Sequence, residues 1–458
     1  MVIADDRIGD GGGMTAFKVA RDPETNQLVI IDQTLEDGRK GKFFNVEFVN
    51  TVGNTGMNCA GITSLADGRI WTAEEWFRYG IPDLTEVSDS REGSEGIRNV
   101  DFSTTFTIPT DGIPGFAGLT IPFIDNLNWM VEIDPRQAAA IRKQYNWGRQ
   151  GFEGGVVMPD NKTVYLGEDN SPGLFTRFIA DEPGDFTKGT LSYYAWDEEN
   201  ERGYWVDYPI NSIEEAVAMN AYNSAEFSSA DENPSVAINA GGARPWRGEN
   251  AACMFIRNEW VAADTVTGRV YWAETGNDNF RNSFSLFTPR GGSNYVATDA
   301  EGNPTNFNGK IGRYLLDAAR MRFPELNNIS NDSLRNWLVA GNNFRDAHGR
   351  ILCYNPATQD VTVFLEGGPY PGDANAGNNQ GGPDDLLTYP ETHFSNPDGL
   401  HVMYIGDKRY LVICEDLNGR SFNRVPSGTA NSTCDLFLLD MDKEPKIENL
   451  IRISQVPL

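Results

Sequence analysis

Four stretches of this chain share one design: a small or polar opening, an apolar strand, a tight turn, and an apolar return that closes on an acid. They are NCAGITSLADGRIWTAEEW (58–76), FEGGVVMPDNKTVYLGEDN (152–170), RNEWVAADTVTGRVYWAETGN (257–277) and NPDGLHVMYIGDKRYLVICED (396–416), turning at D-G, D-N, T-G and G-D. The spacing between opening and closing residues is nearly constant. Cys59 to Glu74, Glu153 to Glu168 and Glu259 to Glu274 are each 15 residues, and Asp398 to Glu415 is 17. Two strands of about five to six residues around a tight turn come back to the end they left. Four such hairpins set radially would gather four opening residues and four closing acids around one mouth of a central channel.

A second kind of hairpin flanks D-P or N-P turns at 15–32, 128–145 and 349–367, with looser versions at 189–209 and 435–453. These are amphipathic and too short to fold alone, as the outer hairpins of propeller blades are. The N-terminal one, 15–32, reads as an outer hairpin with no inner strands before it. Helical patterning is confined to 211–227 and 312–341, between hairpins. The intervals 59 to 153, 153 to 259 and 259 to 398 are 94, 106 and 139, so insertions break the repeat. The reading is an all-β chain with helical insertions: one irregular six-bladed β-propeller domain spanning 1–458.

Composition narrows the partners. With 65 acidic and 38 basic side chains the net charge is −27, which is unfavourable for a nucleic acid or an anionic membrane surface. No apolar run approaches the roughly 20 residues of a membrane helix. The start, MVIADDRIGDGGG, lacks the charged and apolar regions of a signal peptide. Five cysteines stand scattered without a C-x-x-C, and three histidines (His348, His393, His401) show no ligand spacing, although His393 and His401 flank Asp398. Signatures of the P-loop, the nucleophile elbow and the zincins are absent. The glycine run at 11–13 precedes a strand, the wrong order for a dinucleotide fold. DANAGNNQGGPDD (373–385) alternates Asp and Asn but lacks EF-hand spacing and reads as a surface loop.

Carboxylates crowded at one mouth repel unless cations join them. Glu74, Glu75, Glu153, Glu168, Glu259, Glu274 and Asp398 are the candidates, and calcium, with six to eight oxygen ligands in flexible geometry, suits such a ring. Solvated rim acids are the alternative at any single position. Cys59 stands where the other hairpins open on an acid. As a thiolate it would add a soft ligand suited to iron; as a thiol it would be a small core hydrophobe. Arg257, two residues before Glu259, shares its strand face and is a fork for a phosphate or carboxylate, or a local ion-pair partner.

Taken in order, N-C-A-G at 58–61, E-E at 74–75, E-G at 153–154, G-E-D at 167–169, R-x-E at 257–259 and N-P-D at 396–398 resemble the PhoX-type alkaline phosphatases. The chain departs from the family in the I-T-S-L-A-D-G that follows N-C-A-G and in the T-A before E-E. The resemblance implies a six-bladed propeller holding iron and calcium at its mouth, hydrolysis of phosphomonoesters, and export to the periplasm or outside the cell. It makes Cys59 an iron ligand, Glu75, Glu153, Glu259 and Asp398 cluster ligands together with Glu74 and Asp169, and Arg257 the holder of the substrate phosphate. A monomer is expected. N-P-D-G-L also looks like a strand opening of calcium-dependent lactonase propellers, and a non-catalytic calcium-stabilised propeller is the third reading.

Overall fold

Short runs of Val, Ile, Tyr, Phe and Trp between Gly, Pro and Asp turns have the composition of strands, and that is what they form. The computed structural model describes residues 2–5, 13–56, 58–75, 105–169, 173–217, 219, 245, 249–276, 309–322, 324–339, 349–367, 394–416 and 433–457. Within these, four antiparallel blades follow the chain. The first has strands Asn58–Thr63, Ile70–Glu74, Met130–Asp134 and Ala139–Lys143. The second runs Phe152–Val157, Thr163–Glu168, Thr176–Glu182, Asp185–Asp197 and Arg202–Asp207. The third is Asn258–Ala263, Val270–Glu274, Arg350–Asn355 and Asp360–Glu366, joined to the second in one nine-stranded sheet by the pairing of Glu168 with Asn258. The fourth is Pro397–Ile405, Lys408–Glu415, Thr433–Asp440 and Leu450–Pro457.

Each of the four repeated hairpins supplies the two inner strands of a blade. The inner strands stand side by side: Phe152–Val157 packs against Asn58–Thr63 on one flank and Asn258–Ala263 on the other, and Asn258–Ala263 packs on Pro397–Ile405. An N-terminal sheet adds Val2–Asp5, Gly13–Arg21 and Leu28–Ile31, with Val2–Asp5 beside Asn58–Thr63. The N-terminal hairpin therefore does have an inner strand, contrary to the sequence reading. A fifth strand in the second blade is a further addition.

Small residues allow this crowding. A Cβ added to Gly167 would lie 2.3 Å from the Glu259 carbonyl oxygen, and one added to Gly154 would lie 3.0 Å from the Trp260 Cα. Between blades lies an aromatic core in which Phe175 stacks on Trp272 at 4.3 Å and also meets Trp205, Phe255 and Tyr354. The helices Arg313–Arg322 and Asn331–Val339 fall within the anticipated insertion 312–341, and Ile213–Val217 within 211–227. No helix among the described residues is long and apolar enough to cross a membrane.

Candidate metal centre

All four inner hairpins carry a β-bulge at the same place. Asn58 pairs with Glu74 and Gly61 with Thr72, so Cys59 and Ala60 together face Ala73. Glu153 and Gly154 face Gly167 in the same way, Glu259 and Trp260 face Ala273, and Asp398 and Gly399 face Cys414. A bulge re-aims the side chain it carries. The first bulged residue is in turn Cys59, Glu153, Glu259 and Asp398, the four positions the sequence singled out as hairpin openings.

The bulge also decides the fate of the closing acids. Each pairs with the residue before the bulge, and neighbouring strand residues point to opposite faces. Glu74 is buried with its carboxylate held by Lys143 Nζ at 2.9 Å, the Thr55 hydroxyl at 2.9 Å and the Trp129 N–H at 3.1 Å. Glu168 accepts the Leu174 N–H at 2.8 Å. Glu274 accepts the Ile256 N–H at 2.7 Å, the Tyr314 hydroxyl at 2.9 Å and the Arg350 guanidinium. Glu415 accepts the backbone N–H groups of Ser395 and Asp435. These acids stitch each hairpin to chain outside it, before it at Thr55, Ile256 and Ser395 and after it at Lys143, Leu174, Arg350 and Asp435.

It is the residue after each closing acid that comes to the mouth. The four are Glu75, Asp169, Thr275 and Asp416, at 16, 16, 16 and 18 residues from the bulged position. In three blades its N–H donates to the carbonyl two residues before the bulged residue: Asp169 to Gly151 at 2.9 Å, Thr275 to Arg257 at 3.0 Å, and Asp416 to Asn396 at 2.9 Å. Carboxylate oxygens of Glu75, Glu153 and Asp169 lie within 4.8 Å of one another, as do those of Glu153, Glu259 and Asp398. Glu153 belongs to both groups, and its Oε1 is 3.6 Å from Cys59 Sγ. Glu74, Glu168 and Glu274, which the sequence reading placed at the mouth, are in neither group. Asp416 and Thr275 were missed; the extra step in spacing was their only sequence signal.

Arg257 reaches the same place from the third blade. Its Nε donates to Asp169 Oδ1 at 2.8 Å, and a terminal nitrogen lies 2.8 Å from Glu259 Oε1. Its backbone has φ of +53°, a left-handed conformation that side chains other than Gly, Asn and Asp seldom adopt, and the Thr275 N–H clamps its carbonyl. His401 is exposed on the fourth blade, paired with Val412. His348, His393 and the loop 373–385 lie outside the described residues.

The electrostatics are those of a site short of positive charge. Burial, and then the charges of Asp398, Glu259, Glu75 and Asp169, push the Glu153 carboxyl well above its ordinary range. Glu259 is pushed the same way by burial, although Arg257 opposes it. Asp398 is raised to about 6, by burial foremost and then by the charge of Asp416. Burial and the charge of Glu153 raise the Cys59 thiol. Asp398 Oδ1 is buried with no hydrogen-bond partner among the described residues. Five carboxylates, a thiol against one of them and an unpartnered buried oxygen make a donor set that fits bound cations.

Fold and site together define a β-propeller whose mouth gathers acidic side chains that could hold metal ions. The chain belongs to the PhoX alkaline phosphatase family, whose sequence pattern it matches over residues 40–444; these enzymes are metal-dependent hydrolases of phosphoric monoesters. Among solved structures it is similar to Pseudomonas fluorescens PhoX in complex with vanadate, a transition state analogue, with a TM-score of 0.51 and 16% identity over 98% of this chain and 71% of that one. That likeness carries the propeller fold. No curated protein matches it.

The closing acids make a separate prediction. Lys143 and Glu74 are fully buried partners, so Lys143→Met strands a buried carboxylate and should cost about 3–5 kcal/mol in thermal or denaturant unfolding. Adding Glu74→Gln should recover most of the loss and leave metal content unchanged. Loss of metal from the double variant would return Glu74 to the ligand set.

Proposed function

We propose that the chain hydrolyses phosphate monoesters at a cluster of calcium and iron held in the propeller mouth. The observation that supports this most is the convergence of Cys59, Glu75, Glu153, Asp169, Glu259 and Asp398 on the place that Arg257 also reaches. The oxygen-only positions around Glu75, Asp169 and Asp398 suit calcium, and the Cys59 sulfur beside Glu153 suits iron. Bound cations would supply charge to hold the phosphate oxygens and to stabilise what develops on them during transfer.

The protein's own part is to orient. Among the described residues Arg257 is the one guanidinium held by mouth carboxylates; Asp169 fixes its Nε edge, and Glu259 lies on its other side. A guanidinium clamped in this way presents a planar fork to a tetrahedral anion with little entropy left to lose. The bulges fix the four opening side chains on short strands rather than loops, so the donor set is preformed. The Cys59 thiol at Glu153 separates this reading from a calcium-only lactonase, which has no use for sulfur. The chain is further proposed to act outside the cytoplasm as a monomer.

Purified protein supplied with calcium and iron should cleave a chromogenic phosphate monoester. Exhaustive chelation should abolish the activity, and returning both metals should restore it. Undiminished hydrolysis by protein shown to be metal-free would sink the proposal.

A further inference from the structure

Thr275 is the one mouth-facing position of the four hairpins that holds neither acid nor thiol, and it is fully buried. Its hydroxyl touches Glu259 Oε2 and lies 2.6 Å from the Pro397 carbonyl oxygen. Its N–H donates to the Arg257 carbonyl at 3.0 Å, and its carbonyl accepts the Asn396 side-chain amide at 3.1 Å. Every polar group of this residue therefore meets Arg257, Glu259 or the residues that precede Asp398. The surroundings are tight: a Cβ on Gly349, whose φ is +63°, would lie 2.4 Å from the Thr275 carbonyl oxygen.

A hydroxyl in this place sets which way the Glu259 carboxyl turns. With Oε2 tied to Thr275, Oε1 faces Arg257, and the carboxyl stays within reach of Glu153 and Asp398. The same hydroxyl ties the third blade to the fourth through Pro397, so the distance between Glu259 and Asp398 depends on it. Groups that hold a ligand from behind are typically worth about 10–100-fold in metal affinity. An acid at position 275 would have added another charge to a crowded mouth; a threonine supplies a polar contact without one.

We propose that Thr275 is a positioning residue for the metal centre, fixing the Glu259 carboxyl and the spacing between Glu259 and Asp398. The proposal rests on the metal-site reading above. Calcium titrated into chelated, folded protein tests it by calorimetry. Thr275→Val keeps the branched shape and removes the hydroxyl, and should weaken calcium binding by about tenfold or more with an unchanged melting profile. Thr275→Ser should stay within about threefold of the parent. Glu259→Gln is the control, and should bind more weakly than either. If Glu259→Gln loses affinity while Thr275→Val does not, or if Thr275→Ser is as weak as Thr275→Val, the positioning role is wrong. Parent-like affinity in Glu259→Gln would overturn the metal assignment of Glu259, and this proposal with it.

Discussion

Replacing Arg257 with alanine is expected to lower kcat/KM for a phosphate monoester by about 10²–10³-fold, the usual loss when a preorganised donor to developing charge is removed. The guanidinium is held by Asp169 and lies against Glu259, so its contribution should appear in kcat as well as in KM. Lysine should not rescue it, because a point charge on a flexible stem cannot reproduce a fork fixed at two edges. Metal content should persist, since Arg257 is a cation and donates no electron pair. A variant with parent-like kcat/KM would remove Arg257 from the site. Retained turnover with a raised KM alone would reduce it to a binding role.

The second large effect is expected at Cys59. Cys59→Ser should strip iron while leaving calcium bound, with activity falling by at least about 100-fold, as loss of a direct ligand should exceed that of a supporting one. The reasoning is one of softness: the carboxylates left at the mouth are hard oxygen donors, and Cys59 at 3.6 Å from Glu153 supplies sulfur there. The side chain is at the first bulged position, so the serine should leave the hairpin intact. Iron retained in the variant at parent levels would contradict the assignment.

Much of the fold was legible because turn chemistry and apolar runs punctuate the chain so regularly. Val270–Glu274 and Ile70–Glu74 end on the acids that sequence alone marked. What the sequence misled on was parity. A strand alternates faces with period two, and a bulge inserts one residue into that count without any mark in the letters. Reading the hairpins without bulges put Glu74, Glu168 and Glu274 at the mouth, where the next residues stand instead. Glu75 stood out as the second acid of the E-E pair and Asp169 through the resemblance of G-E-D at 167–169, whereas Asp416, charged as well, did not stand out. Thr275 carries no charge, so only its spacing of 16 residues from Glu259 could have announced it. The partners of the closing acids, Lys143 for Glu74 and Arg350 for Glu274, lie 69 and 76 residues away in the chain, beyond any local pattern.

The charge of −27 also reads differently once the site is laid out. Repulsion from such a surface should slow an anionic substrate, yet a share of the acids lies in one mouth where cations would invert the local sign. Acidity overall is therefore compatible with phosphate chemistry only if the mouth is filled.

The most direct test of that condition is elemental analysis of the protein as purified, with turnover of a phosphate monoester measured on the same sample. Iron and calcium found together in active protein is the result this account predicts. Full phosphatase activity in a sample holding calcium without iron, or neither metal, would contradict it.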